Sequence, residues 1–306
     1  MTAGPHAAAP AEIVVESEGC RLAAWHLQAR SDAMVRDGRR PCVVMAHGFG
    51  ATRDSGLLPF AEAFAADGAD VLLFDYRGFG GSDGAPRGVI DHRRHRRDYQ
   101  AAIARARYLP GVDPERVVLW GSSYSGGHVV PVAAADGRIA AVISQGAAMD
   151  GLAAVVEILR YAGPRQLLRL SAHAIRDAVG ALAGAAPHHV GVVGPPGALA
   201  AVTAADAADG YGAIMGPSFH NEMPARGILV IPFNRPVRAA RRLRCPLLLV
   251  IAERDTIAPP AAVRRVAETA GGEVEVLSLP CGHFDIYVGE EFRTSLARQR
   301  EFLSRV

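Results

Sequence analysis

Five short apolar runs, at residues 41–46, 71–74, 117–120, 140–144 and 246–252, recur along the chain without the polar alternation of a half-exposed strand. Central strands of a parallel sheet look like this, because helices cover both of their faces. Between the runs, Leu58–Asp67, 91–108, Tyr124–Ala135 and 260–270 carry apolar residues at helical spacing, and Gly or Pro punctuates most of their ends. Alternation of buried strand and helix predicts an α/β fold with a doubly wound, mostly parallel sheet and right-handed crossovers. Residues 13–15 and 21–27 read as an antiparallel entry hairpin turned at Glu18-Gly19. Val274–Leu279 reads as the last strand and 290–303 as a closing helix.

From Asp150 to about Arg242 this rhythm stops. Alanine-rich helical stretches, a Gly/Pro-rich loop around Gly191 to Gly197 and no convincing core strand predict a helical cap at residues 150–242. The cap is inserted between two parts of one core, residues 1–149 and 243–306. One α/β domain with an insertion accounts for all 306 residues.

Composition adds mainly exclusions. Half the residues are hydrophobic and 21% are charged, so an ordered globular chain is expected apart from the first ten or so residues. The N-terminal stretch has neither a charged nor an apolar leader region, and nowhere do eighteen strongly apolar residues run together, so a soluble, cytoplasmic protein is expected. A net charge of +2 points to neither nucleic acid nor an anionic membrane. All 33 basic residues are arginine, which excludes a P-loop lysine, a pyridoxal Schiff base and a Ser-Lys dyad. Cys20, Cys42, Cys245 and Cys281 are too scattered for a zinc site or a disulfide framework and read as buried free thiols.

Ligands of open parallel sheets bind at the carboxyl ends of the strands, so the polar residues just beyond each apolar run are the candidates for chemistry. Beyond 117–120 comes Gly121-Ser122-Ser123-Tyr124-Ser125-Gly126-Gly127; beyond 246–252, Glu253-Arg254-Asp255; beyond Val274–Leu279, Pro280-Cys281-Gly282-His283. A serine hydroxyl is a poor nucleophile until a base takes its proton, and a carboxylate fixes the tautomer of that base and stabilises its imidazolium. Ser123, His283 and Asp255 supply those three groups.

The first segment resembles the nucleophile elbow G-x-S-x-G of the α/β-hydrolases, and the order Ser, Asp, His is the one that superfamily shows. Ser125 stands where the motif has its second glycine, so a register with Ser125 as nucleophile is the alternative. Asp150, just past the 140–144 run, is the rival acid. His47-Gly48-Phe49-Gly50 resembles the family's oxyanion loop. That resemblance implies that the backbone N–H groups of Phe49 and Tyr124 bind the developing oxyanion, with His47 as a prop. Losing one such donor typically slows acyl transfer roughly a hundred- to a thousand-fold. The turn Asp75-Tyr76-Arg77-Gly78-Phe79-Gly80-Gly81-Ser82 also looks like the family and fails as a dinucleotide fingerprint, since Asp83 stands where its last glycine belongs. The resemblance covers about residues 43–149 and 243–306.

It implies a serine hydrolase that cleaves a carboxylic ester or thioester of a small or medium apolar substrate, without cofactor or metal. Its partner would be a small-molecule ester or acyl substrate, with homodimerisation left open. A peptidase or carbon–carbon bond hydrolase would use the same triad, and a non-catalytic binding protein on the same fold would normally have lost a member of it. The run Asp91-His92-Arg93-Arg94-His95-Arg96-Arg97-Asp98 reads as a solvated helix face rather than a phosphate site, and His188-His189 has no companions for a metal. Leu152, Val155, Val156, Leu159, Tyr161, Phe219 and Met223 suggest an apolar lining of the cap, with ordinary core contacts beneath it as the alternative for each, and Arg160, Arg165 and Arg169 are open between binding a substrate carboxylate and facing water.

Overall fold

The computed structural model describes residues 10–306; the expectation of disorder at the start of the chain falls on residues 1–9, outside that range. Strands β1 (Ala11–Ser17) and β2 (Cys20–Leu27) pair antiparallel around Glu18 and Gly19, both at positive φ as a tight two-residue hairpin turn demands. Then follow β3 (Arg40–Ala46), α1 (Leu58–Asp67), β4 (Asp70–Phe74), α2 (His92–Arg107), β5 (Val112–Ser122), α3 (Tyr124–Ala135) and β6 (Ile139–Gln145). All the expected core strands are present, and β5 is longer than its apolar run because Val112 pairs with Arg40 ahead of a bulge.

Residues 146–246, between β6 and the next core strand, depart from the expected helical cap without core strands. Helix α4 (Gly151–Leu182) leads, kinked where Gly163 takes φ 75° ahead of Pro164. Then come β7 (His189–Val193), β8 (Ala200–Val202), α5 (Ala207–Ile214) and β9 (Met223–Pro224). The three strands form a small separate sheet in the order β8-β7-β9. Part of the expected loop at Gly191 to Gly197 is thus strand: Val190, Val192 and Val193 supply β-branched residues, and Val190 and Val192 are buried. Two stretches of 3₁₀ helix, Ala225–Phe233 and Pro236–Arg242, lead back to β10 (Leu247–Ala252), α6 (Pro260–Thr269), β11 (Val274–Leu279) and α7 (Gly289–Leu303).

The main sheet runs β1-β2-β4-β3-β5-β6-β10-β11, parallel from β4 onward. Side chains of successive residues enter opposite layers. Leu247, Leu249 and Ile251 of β10 pack with α2, α3 and the inserted segment, while Leu248, Val250 and Ala252 pack with α1 and α7. Both layers are closed, so each central strand is apolar on both faces. Each fully buried aliphatic side chain contributes about 1.5–3 kcal/mol. Among the described residues, no helix is long and apolar enough to cross a membrane, and all four cysteines are free, Cys42 and Cys281 buried as expected and Cys20 and Cys245 only half-buried.

Candidate active site

Strands β3, β5, β10 and β11 end at one rim of the sheet, and the four candidate loops follow those ends. At the end of β5 the backbone turns straight into α3 through Ser123, which sits at φ 58°, ψ −118°. A non-glycine residue there carries strain of about 1–3 kcal/mol and persists only when its surroundings hold it. They do: Ser123 N–H donates to the Gln145 carbonyl at 2.9 Å, and its own carbonyl accepts from Gly127 N–H at 3.2 Å and Ala148 N–H at 3.0 Å. The turn is so tight that a Cβ on Gly121 would stand 2.4 Å from the Ser125 carbonyl oxygen.

Ser125, the departure from the motif, is buried and fully engaged. Its hydroxyl donates to the Ala46 carbonyl at 2.7 Å and accepts from Ser122 N–H at 2.8 Å, lacing the elbow to β3. Its hydrogen bonds are to backbone groups, whereas Ser123 Oγ meets the His283 imidazole and lines the cavity.

His283 Nε2 lies 3.0 Å from Ser123 Oγ, and His283 Nδ1 lies 2.6 Å from Asp255 Oδ2. The second carboxylate oxygen accepts from Ile257 and Ala258 N–H at 2.8 and 2.7 Å, which fixes the orientation of Asp255. Burial alone would push the His283 imidazole down, but the Asp255 charge and hydrogen bond, with Asp206 farther off, hold it above its ordinary value. Asp150 is committed elsewhere: it caps α4 through Leu152 N–H and binds Arg235 through both oxygens, at 2.9 and 2.7 Å.

Phe49 follows β3, the neighbour of β5, and its ring packs edge-on against Tyr124 at 5.5 Å. Gly48 is pressed against the elbow, where an added Cβ would meet Ser123 Cβ at 3.1 Å. His47 is the first residue beyond β3. It is buried, and burial pushes its pKa down. Nε2 accepts from Tyr76 N–H at 3.4 Å, so the proton sits on Nδ1 and is donated to the Gly48 carbonyl at 3.0 Å.

Ser123 opens into a cavity whose walls are mostly apolar, with Phe49, Tyr124, Ala154, Ile158, Tyr161 and Tyr211 among its lining. Only Tyr161 of the expected lining residues is there. Leu152, Val156 and Leu159 are exposed, Val155 faces a separate cavity, Met223 is buried in the core and Phe219 packs against Tyr211. In an alanine-rich helix nearly every face is apolar, so the inward phase of α4, through Gly151, Ala154, Ile158 and Tyr161, is not marked by hydrophobicity. Two contributors have no motif to reveal them: Tyr211, whose hydroxyl donates to the Phe49 carbonyl at 2.7 Å, and Asn234, a buried amide on the cavity wall. The signal for Asn234 is a lone amide directly after the apolar stretch Ala225–Phe233.

A family model described as the alpha/beta hydrolase fold matches residues 41–290. The quorum-quenching protein AidA of Acinetobacter baumannii (strain MDR-ZJ06) is 38% identical over 301 residues, covering 97% of this chain and 95% of that protein. The thiohydrolase aneE of Aspergillus aculeatus is 39% identical over 118 residues, 39% of this chain and 37% of that one. The crystal structure of the α/β hydrolase GrgF from Penicillium sp. sh18 superposes with a TM-score of 0.78 at 24% identity, over 96% of this chain and 98% of that one, and so shares the fold. With 250 consecutive residues inside the family match and a relative aligned almost end to end, the chain belongs to the α/β-hydrolase family and is an enzyme of it.

Proposed function

We propose that this enzyme is a serine hydrolase that cleaves a carboxylic ester or thioester of a small or medium apolar acyl substrate through an acyl-enzyme on Ser123. The observation that carries the reading is the hydrogen-bonded line from Ser123 Oγ through His283 to Asp255, at 3.0 and 2.6 Å. Ser123 Oγ attacks the scissile carbonyl as His283 Nε2 takes its proton. Asp255 keeps the imidazole in the tautomer that can accept it and stabilises the imidazolium. The oxyanion forms toward the N–H groups of Phe49 and Tyr124. His283 then returns the proton to the leaving alcohol or thiol, the acyl group stays on Ser123, and a water deprotonated by His283 releases the acid.

The thioester option is supported by the partial match to a thiohydrolase, and the apolar option by the lining of the cavity. The deciding experiment is labelling by a fluorophosphonate with Ser123→Ala as control, then a panel of matched ester, thioester and amide substrates. Labelling of the wild type and loss in the variant is the expected result. No labelling of folded wild-type protein would overturn the reading, and turnover of the amide ahead of both esters would favour a peptidase.

A further inference from the structure

The charged run at the start of α2 is only partly solvated. Arg93, Arg94 and Arg97 face water, whereas His92 and His95 are buried and Arg96 is half-buried. The inward stripe that continues as Tyr99, Ala102 and Ile103 runs back through these polar residues at helical spacing, which carries them beneath the cavity that holds Ser123.

Arg96 Nη2 donates to Asn234 Oδ1 at 2.6 Å, while its Nε is buried without a partner. Among the described residues no carboxylate pairs with it. Asp91 caps α2 and pairs with Arg94, and Asp98 is held by Arg77 and Ser17. The neighbouring rings supply no charge either: burial, with other causes, pushes His92 down to about 4, His95 to about 3 and His128 well below its ordinary range. Arg96 is therefore the lasting cation of a buried cluster, and uncompensated buried charge is unfavourable unless something negative meets it.

A guanidinium has only donors, so the Asn234 atom it meets is the carbonyl oxygen, which turns the amide NH₂ toward the Tyr124 hydroxyl and leaves one of its two hydrogens to spare. Asn234 is 2% exposed and lines the cavity. Tyr124, 5% exposed, lines it too, and its hydroxyl is buried beside Asn234 and Arg96 with no acceptor for its hydrogen. A hydroxyl hydrogen without a protein acceptor and an amide with a hydrogen to spare thus stand on the wall next to the nucleophile, with a cation behind the amide.

We propose that Asn234 and Tyr124, with Arg96 as the residue that positions and polarises Asn234, form a second oxygen-binding subsite that selects substrates carrying a further acceptor oxygen, carbonyl or carboxylate, besides the scissile carbonyl. The proposal rests on the serine-hydrolase reading for the location of the scissile bond. A site built to hydrogen-bond a substrate oxygen discriminates strongly against the analogue that lacks it, because its buried donors are then stranded.

The test uses esters matched in carbon number, plain against oxo-substituted or carboxylate-bearing, with the extra oxygen on the acyl or the alcohol side. Wild-type kcat/KM is expected to favour at least one oxygenated partner by about tenfold or more. That ratio should collapse toward one in Asn234→Ala, in Arg96→Met and in Tyr124→Phe, the last of which keeps the ring and its packing. Preference for the carboxylate would assign the ligand as an anion matched to Arg96, and preference for the oxo group as a neutral carbonyl. The same esters are titrated calorimetrically into Ser123→Ala protein, where no bond is broken. There the oxygenated ligand should bind more tightly, and Asn234→Ala should remove the difference. A wild-type ratio near one for every pair, or ratios unchanged in folded Asn234→Ala and Tyr124→Phe, would overturn the subsite. Failure of fluorophosphonate labelling with the binding difference intact would overturn the mechanism and leave the subsite standing.

Discussion

Tyr211, on a helix of the inserted segment, donates its hydroxyl hydrogen to the backbone carbonyl of Phe49 at 2.7 Å. The peptide that begins at this carbonyl belongs to the loop proposed to hold the oxyanion, so a residue 162 positions away in sequence sets where that loop sits. In Tyr211→Phe the ring remains and the buried carbonyl loses its donor, a change of about 1–3 kcal/mol. We expect kcat/KM to fall roughly tenfold as the loop loosens, a displacement of the kind that makes distant substitutions costly. Steady-state kinetics and thermal melting check this, and unchanged kinetics would show that the loop holds itself.

Ser125 and Ser123 separate cleanly by their partners. Ser125→Ala strips one acceptor and one donor from the lacing between the elbow and β3, so about 1–3 kcal/mol of stability should be lost. Fluorophosphonate labelling should survive, because the hydroxyl it removes never reaches the cavity. Retained labelling in Ser125→Ala beside lost labelling in Ser123→Ala is the expected pair of results; the reverse pair would make Ser125 the nucleophile.

The pH dependence follows from His283, whose pKa is raised above 6.5 because the Asp255 charge and hydrogen bond, with Asp206, outweigh burial. The base must be neutral to accept a proton, so kcat/KM should fall as pH drops through a midpoint above 6.5. In Asp255→Asn the midpoint should move down and the plateau should drop on the order of 10⁴-fold, since the amide favours the wrong tautomer. The raised pKa also means that the His283–Asp255 pair stabilises the fold fully below the unfolded histidine value and loses that contribution as pH rises through the folded one. A pH–rate profile of both proteins measures the shift, and a midpoint unmoved by the substitution would detach Asp255 from His283.

Asp150, the other acid just past a strand end, should behave differently. Its bonds to Arg235 and to the first turn of α4 are structural, so Asp150→Asn should lower the melting temperature and leave the midpoint of the pH profile where it is. A shifted midpoint in Asp150→Asn would return it to the triad.

Ser123 and Asp255 are legible as candidates because each follows a strand that is apolar on both faces, and a strand end is a place the pattern fixes to within a residue or two; His283 follows the half-exposed edge strand β11 and is legible from the order Ser, Asp, His. The core strands and α1 are legible for the same reason. The inserted segment is not. Ala154 and Ile158 face the cavity while Leu152 and Val156 face solvent, and the sequence of α4 is too uniformly apolar to say which phase wins. Strand β7 hides behind its glycine, and Tyr211 and Asn234 act through contacts across 162 and 138 positions that no local spacing encodes. The run from Asp91 to Asp98 misleads in the other direction: its charge density predicts solvation, yet the helical phase of α2 draws His92, His95 and Asp98 into the core.

Gly48 offers a test of how closely the oxyanion loop and the elbow must approach. An added Cβ would meet Ser123 Oγ in ordinary contact at 3.5 Å but Ser123 Cβ at 3.1 Å, inside the range where a neighbour has to give way. The neighbour here is the strained elbow, pinned by three backbone hydrogen bonds, so the loop must yield instead by a few tenths of an ångström. Gly48 takes no positive φ in the structure, so alanine suits its backbone and the effect isolates the contact. Overpacking of this kind destabilises by about 1–3 kcal/mol, and moving the oxyanion donors away from their target should slow acylation by roughly tenfold to a hundredfold. The loss should appear in kcat more than in KM, because donors aimed at the oxyanion act chiefly in the transition state. Pre-steady-state measurement of acyl-enzyme formation in Gly48→Ala resolves the step directly. Acylation at the wild-type rate in the folded variant would mean that the close approach serves packing alone.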